Sequence, residues 1–426
     1  MKENTMILGQ DQYYSLNCYE TKVNNNVLVV GTSGAGKTRS IVIPNLLQAS
    51  GSYILSDPKG NLYKKYGPYL KKQGYVVKLL DFTDPEHSEH YNFFRYIRNT
   101  QDIVKIAHML IYQEKHGGHS DPFWDQASQL LVQACMAYLM ERRGKEEQNL
   151  RCVMKLISAC DVGGDYEVAE KPNRLDRLME EVGWTDTKSY AYKTYTKFRV
   201  AANRTLKSIL ISVNARLGLF DTPELNMLTA DDTINLTSIG EQKTALFVVV
   251  SDTDRSLDGL VNIFFTQAMN ELCRYADKEC EDNTLPVPVR FILDDFATNC
   301  RIEEFPRMIS AVRSRGISTM LMIQAESQLT ESYGYDGRTI IGNCDTYVYL
   351  GGNDGETARA VAERCDVPVK KILNMPVGTN WIFRRGQEPR CGKNFELDPF
   401  LQEKKVMQSI AGTERLTGKE NQTINL

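Results

Sequence analysis

The chain has 426 residues, 42% of them hydrophobic and 25% charged, with a formal net charge of −3. That length and composition describe an ordinary globular protein with room for two or three domains, or for one large domain with an insertion. The charge excludes a uniformly basic nucleic-acid binder, so any DNA-handling role needs a local basic lining. The ten cysteines form no C-x-x-C pair and no zinc spacing, which fits free thiols in a reducing cytosol. The longest apolar run is Ala134 to Met140, too short for a transmembrane helix, and no signal peptide is visible.

Near the start, "VVGTSGAGKTRSIVIPNLL" follows a short apolar run, Asn26 to Val30, that suits a buried strand. Gly31, Gly36, Lys37 and Thr38 fit G-x-x-x-x-G-K-[ST], the phosphate-binding loop. Gly34 adds a third position without a Cβ. Such a loop lays backbone N–H groups against phosphate oxygens, and side chains would block that approach. The expected nucleotide-contacting residues are Gly31, Thr32, Ser33, Gly34, Ala35, Gly36, Lys37, Thr38 and Arg39. Lys37 is placed to reach the β and γ phosphates of ATP, and the Thr38 hydroxyl to ligate Mg²⁺. The helix that follows favours phosphate at its N-terminus, and Pro44 is expected to kink it.

Strand and helix signals then alternate. "SYILSDPKG" reads as a strand ending in a polar turn. "NLYKKYGPYLKKQG" reads as an amphipathic helix broken near Pro68, with Lys64, Lys65, Lys71 and Lys72 on a solvated face. "YVVKLLDF" reads as the next strand. This β-α-β-α-β order predicts a parallel sheet covered by helices. All five histidines lie between His87 and His119, with H-x-x-H pairs at His87/His90 and His116/His119. A metal site is the alternative there. The segments read as polar loops, because no carboxylate or thiol spacing completes a shell.

From Gln101 to Ser238 apolar residues recur at three-to-four spacing, which predicts an all-α block. Within it Lys193, Lys197, Arg199, Arg204 and Lys207 interleave with Tyr192, Tyr195 and Phe198. That composition suits a channel contacting phosphates and bases, and equally a helix with a charged outer face and an aromatic core face. Strand signals return at Thr244–Asp252, Val287–Phe296, Ile317–Ala325 and Asp345–Gly352, and "NWIFRRGQEP" suggests a last edge strand. "RFILDDF" has the form of a Walker B strand, with acids at its C-terminal end where ligands of open α/β sheets bind. Asp294 is the expected Mg²⁺ residue, and Asp295 the one that orients the attacking water. The predicted layout is a nucleotide-binding domain in two parts, 1–98 and 239–400, interrupted by an all-α domain at 99–238 and followed by a polar tail at 401–426.

Taken together, "GTSGAGKT" with "IPNLL", "SDPKG", "HYNFFRYI", "DPFWDQASQLLVQA", "TLKSILIS", "FILDDFATNCRIEEFPRMISAVRSRGISTMLMIQAESQL" and "GNCDTYVYLGG" resemble the conjugative coupling proteins of type IV secretion systems, the TraG/TraD-like ATPases. The resemblance spans about Asn25 to Gly352. It implies a RecA-like P-loop NTPase core carrying an all-α domain and assembled as a homo-hexamer. It further implies ATP- and Mg²⁺-dependent movement of DNA, single-stranded and relaxase-bound, to a type IV secretion channel, with relaxosome proteins as partners. By position, Lys37, Thr38 and Asp294 match the phosphate and metal residues, Gln324 the γ-phosphate sensor and Arg313 the arginine finger, with Arg315 close by. Asp295 stands where the family usually has Glu, so the acid is one methylene shorter.

Most members of the resembled family begin with membrane-spanning helices. This chain is expected in the cytoplasm at the inner face of the membrane, held there by partners or by a segment not in this sequence. Two other readings remain open. One is a recruitment adaptor for protein secretion whose nucleotide cycle gates docking; the other is an FtsK-like translocase on duplex DNA.

Overall fold

The computed structural model describes residues 4–112, 122–160, 172–202, 205–298 and 300–403. The chain forms two compact units. One comprises Met1–Thr83, Asn235–Arg255 and Ala268–Leu426; the other comprises Asp84–Ile234 and Ser256–Gln267.

The first unit opens with an antiparallel hairpin of β1 (Thr5–Gly9) and β2 (Gln12–Ser15). Nine strands follow: β3 (Val27–Val30), β4 (Ser52–Ser56), β5 (Val76–Asp81), β6 (Thr244–Val249), β7 (Val289–Leu293), β8 (Ile317–Ile323), β9 (Thr346–Tyr349), β10 (Thr379–Arg384) and β11 (Arg390–Lys393). They form one sheet in the order β11-β10-β9-β3-β8-β7-β4-β6-β5. From β9 through β5 every pairing is parallel, and β10 and β11 add an antiparallel edge. The expected α/β architecture with a mainly parallel sheet is present. Its central strands are apolar runs because helices cover both faces: β3, β4, β6, β7 and β9 are buried along their whole length. By contrast, β10 alternates half-buried and buried positions.

Two local expectations are corrected. "NWIFRR" is not the edge strand, since β11 pairs outside it; "RCGK" is too short and polar to announce itself. The hairpin at 5–15 carried no prediction, and it is held by tertiary contacts. Asn45 accepts from the Ile7 N–H at 2.9 Å and donates to the Ile7 carbonyl at 2.7 Å, and Met6, Ile7 and Leu8 are fully buried. Pro68 does not break its helix, which runs unbroken over Asn61–Lys72. The carbonyl that loses its partner there belongs to Lys64, an exposed residue where water can replace the missing N–H. Lys64, Lys65, Lys71 and Lys72 are all exposed. Around Pro44 the helix changes winding, with a π-type turn at Lys37–Val42 passing into an α-helix at Ile43–Leu47.

The second unit is helical. Helices span Thr100–Ile111, Pro122–Arg142, Leu150–Ser158, Arg174–Thr185, Tyr190–Ala202 and Leu206–Leu217. Asn99 and Asn173 start two of them with capping boxes closed by Asp102 and Asp176. Residues 84–98 pack in this unit although the predicted boundary lies at 98. Tyr91 meets Phe264 edge-on at 5.1 Å, and Gln267 donates to the Phe93 carbonyl at 3.1 Å. His87 faces Asp84 at 3.0 Å and His90 faces Asp231, while His116 and His119 lie outside the described residues.

The basic and aromatic stretch of the Tyr190–Ala202 helix resolves into two roles. Tyr195 and Phe198 are buried in the helical core, and Tyr195 donates to Asp176 at 2.9 Å. Arg199 pairs with the same carboxylate at 3.0 Å. These residues are therefore not a surface on which bases could stack. Lys193 and Lys197 are exposed, and Arg204 lies outside the described residues.

Candidate nucleotide-binding site

The strand order determines where the chemistry meets. β3, β8, β7 and β4 are consecutive neighbours and parallel, so the segments leaving their C-terminal ends lie side by side. The glycine-rich loop leaves β3, Gln324 leaves β8, Asp294 and Asp295 leave β7, and Asp57 leaves β4. The loop is tied at its base, where the Gly31 N–H donates to the Ile323 carbonyl and the Thr32 N–H to the Gly351 carbonyl, each at 3.1 Å.

Backbone geometry explains the glycines. Gly34 and Gly36 have φ of +79° and +93°, left-handed values that disfavour a side chain. A Cβ at Gly31 would stand 3.0 Å from the Leu350 Cβ and 3.1 Å from the Ala35 Cβ. Thr32, Ser33 and Gly34 form the exposed tip. Lys37 is buried and folds back over the loop, donating to the Gly31 carbonyl at 2.7 Å and, more weakly, to the Thr32 carbonyl at 3.4 Å. Burial pushes its ammonium pKa down, against the opposing field of Asp295 and Asp294.

The two motifs meet in one contact. The Thr38 hydroxyl donates to the Asp294 carboxylate at 2.7 Å, across 256 positions of sequence. Asp294 is buried, and burial raises its pKa; the Thr38 hydrogen bond opposes that rise, and the neighbouring Asp295 charge adds to it. Asp295 sits in a left-handed turn with φ of +50°, and its N–H donates to the Asp294 carboxylate at 3.2 Å. A hydroxyl beside a desolvated carboxylate is a hard oxygen pair of the kind Mg²⁺ takes. A glycine loop with a buried lysine suits phosphate. The residues present thus fit a Mg²⁺–nucleotide.

Not every expected residue joins this cluster. Gln324 does stand beside the loop, exposed and level with Gly31, with its N–H held by the Gln328 side chain at 2.7 Å. Arg39 turns away and forms an exposed pair with Asp398 at 2.8 Å. Arg313 lies before the N-terminal end of β8, on a short turn at Val312–Arg315. The seven-residue strand between it and Gln324 spans roughly 20 Å, so Arg313 does not belong to its own chain's cluster. Its guanidinium donates to the Cys18 carbonyl at 2.9 Å, whereas Arg315 forms a two-bond pair with Asp277.

The sequence reading missed two residues of the cluster, Ser56 and Asp57. The Ser56 hydroxyl accepts the Asp294 N–H at 2.6 Å and donates to the Asp294 carbonyl at 3.0 Å. Asp57 is buried, accepts the Tyr63 N–H at 2.9 Å and lies within the field of Asp294. Its pKa is raised by burial and lowered in part by the amides of Tyr63, Leu62 and Asn61. The available signal was position: "SD" ends a strand just as "DD" does in β7.

The profile of the family described as "Type IV secretory system Conjugative DNA transfer" matches residues 2–366. The chain belongs to this family. Among its relatives, Protein VirD4 of Rhizobium radiobacter is 25% identical over 352 residues, covering 79% of this chain and 47% of that protein. Conjugal transfer protein TraG of Escherichia coli is 23% identical over 359 residues, covering 79% and 54%. The chain thus spans about half the length of the curated relatives it matches. Its fold is that of the plasmid coupling protein TrwB. The TrwB complex with the non-hydrolysable ATP analogue ADPNP superposes with a TM-score of 0.67 at 15% identity, covering 93% of this chain and 90% of that one. The TrwB complex with ADP and Mg²⁺ gives 0.61 at 16% identity, covering 88% and 86%. Among the described residues no helix is long and apolar enough to cross a membrane.

Proposed function

We propose that this chain is the ATP-hydrolysing motor of a conjugative coupling protein, which recruits a relaxase-bound DNA strand and drives it toward a type IV secretion channel. One observation carries the reading: Thr38 and Asp294, from the two nucleotide motifs, meet at 2.7 Å on the C-terminal edge of the sheet. The nucleotide complexes described for TrwB, a protein of the same fold, support it. The loop from Gly31 to Thr38 holds the phosphates, and Lys37 neutralises charge on the transferring phosphoryl group. Thr38 and Asp294 hold Mg²⁺, which when bound draws charge from the β and γ phosphates. Asp295 orients the attacking water, and Gln324 senses the γ-phosphate. Arg39 plays no part in this reading, because it is engaged with Asp398 at the surface.

Arg313 acts in a neighbouring copy's site. Its placement at the opposite end of the strands leaves it no role in its own, and this supports a closed ring such as a homo-hexamer. The ring works at the inner face of the membrane, with relaxosome and channel proteins as partners. Asp295, shorter than the usual Glu and held at a left-handed φ, favours slow basal hydrolysis that DNA completes. The same feature suits a second reading, an adaptor whose nucleotide cycle only gates cargo docking.

The deciding experiment measures ATP hydrolysis by the assembled protein without DNA, with single-stranded DNA and with duplex DNA. A motor on a single strand responds strongly to the first DNA and weakly to the second. Stimulation by duplex alone points to a duplex translocase. Hydrolysis indifferent to both overturns the motor in favour of the adaptor.

A further inference from the structure

At the N-terminal ends of β4, β7 and β8, the opposite edge of the sheet from the glycine-rich loop, lies a cavity of about 350 Å³. Arg290, on β7, lines it. This residue is only 8% exposed, and its Nε donates to the Ser318 hydroxyl at 3.2 Å. Among the described residues no carboxylate lies within ion-pairing reach of it. Four other arginines drawn into this protein are matched with acids, Arg216 with Asp125, Arg199 with Asp176, Arg274 with Glu271 and Arg315 with Asp277, while Arg384, 5% exposed and likewise in no ion pair among the described residues, lies over the Tyr14 ring at 4.8 Å. A guanidinium taken out of water without a counter-charge is unfavourable, and burial duly lowers the pKa of Arg290. An anion entering from solvent relieves that imbalance. Arg313 borders the same cavity, with its guanidinium engaged by the Cys18 carbonyl at 2.9 Å, and Leu16, Tyr53 and Ile317 supply apolar lining. The Tyr53 hydroxyl is already spent on the Asn45 carbonyl at 3.1 Å, and the positive charge that would meet an anion is that of Arg290.

We propose that this cavity is a second ligand site, distinct from the nucleotide site, that takes a small organic anion. A phosphate or carboxylate seats against the guanidinium group of Arg290, whose planar donors match either group. The apolar body of the ligand packs against Leu16, Tyr53 and Ile317. The site needs no nucleotide at the loop, so it stands or falls independently of the ATPase reading.

The test is thermal melting of the full chain carrying Lys37→Ala, titrated with phenyl phosphate, benzoate and inorganic phosphate. At least one aryl anion should raise the melting temperature saturably, with a half-saturating concentration at least roughly tenfold below that of inorganic phosphate. The better of the two identifies the head group. Adding Arg290→Met should raise that concentration at least roughly tenfold, the loss of a charge-assisted contact. A crystal of the parent protein soaked with the bromo-substituted form of the better ligand should show bromine in this cavity. That measurement holds even if Arg290→Met does not fold. No saturable stabilisation, stabilisation indifferent to Arg290→Met, an equal response to inorganic phosphate, or bromine located elsewhere overturns the proposal.

Discussion

Ser56 holds Asp294 by both of its backbone polar groups: one buried hydroxyl accepts the aspartate N–H at 2.6 Å and donates to its carbonyl at 3.0 Å. A serine on β4 thereby sets the backbone from which the β7 carboxylate reaches Thr38. Ser56→Ala orphans a buried N–H, at a penalty of about 1–3 kcal/mol, and frees the acid to shift. Because misplacement on the ångström scale is expensive in catalysis, kcat for ATP hydrolysis should fall at least roughly tenfold while nucleotide affinity changes less. Parental kcat and parental melting temperature together would show that this double contact positions nothing.

Asp294 itself is held at a thermodynamic disadvantage. Its pKa is raised from 3.8 by burial, so the ionised form is disfavoured in the fold. A raised carboxyl pKa contributes stability that is complete below the unfolded value and is lost as pH rises through the folded value. Asp294→Asn has no charge to bury, and its amide oxygen can still accept from Thr38. Without Mg²⁺ it should melt higher than the parent near neutral pH, by on the order of 2 °C, and alike at acid pH. Asp57 shifts in the same direction and is present in both proteins, so its effect largely cancels. The same variant should lose Mg²⁺-dependent nucleotide binding, a gain in stability at the expense of function. A lower melting temperature at neutral pH would contradict the burial argument.

Lys37→Ala and Asp295→Asn should separate binding from chemistry. The first removes a desolvated ammonium from the loop, and hydrolysis should disappear while the far-ultraviolet circular dichroism stays unchanged. The second should keep ATP bound but block turnover, because only the orientation of water is lost. Asparagine tolerates the left-handed φ of +50° at position 295, so the fold survives; Asp295→Val should lower the melting temperature. Nucleotide binding by fluorescence and phosphate release on the same samples check both claims. If Asp295→Asn releases phosphate at the parental rate, the water-orienting role belongs elsewhere.

Arg313 is predicted to serve a neighbour. A guanidinium supplied between subunits is worth on the order of 10³–10⁵ in rate. Arg313→Ala and Lys37→Ala should each be inactive alone, and mixed rings should regain part of the activity, since some sites then have an intact loop and an intact neighbouring arginine. Near-parental activity of assembled Arg313→Ala alone would remove the finger. Use of this arginine within its own subunit is excluded by its position at the other end of β8 from Gln324.

The phosphate loop, the Walker-type strand and the run of parallel strands were legible in the sequence because each is local chemistry. Gly31, Gly36, Lys37 and Thr38 must be spaced as they are for a loop to wrap phosphate, and strands buried on both faces must be apolar throughout. Less legible were the hairpin of β1 and β2, which stands on the Asn45–Ile7 contacts, and the edge strand β11, which has no apolar signature. Tyr195 and Phe198 show the same limit in the helical unit. Their composition suited a base-stacking surface, but the opposing Asp176 decides that this face turns inward.

By itself the sequence determined that this chain has a nucleotide loop, a strand-end acid pair and the motifs of its family, since those properties belong to residues a few positions apart. Only the tertiary structure decided which strand ends lie side by side. It brought Thr38 to Asp294 and Ser56 to Asp294, set Arg313 at the far edge of the sheet, and left Arg290 buried over a cavity without an acid. These are relations between residues separated by hundreds of positions. They follow from the order in which β-strands pair, an order that no single stretch of the chain encodes.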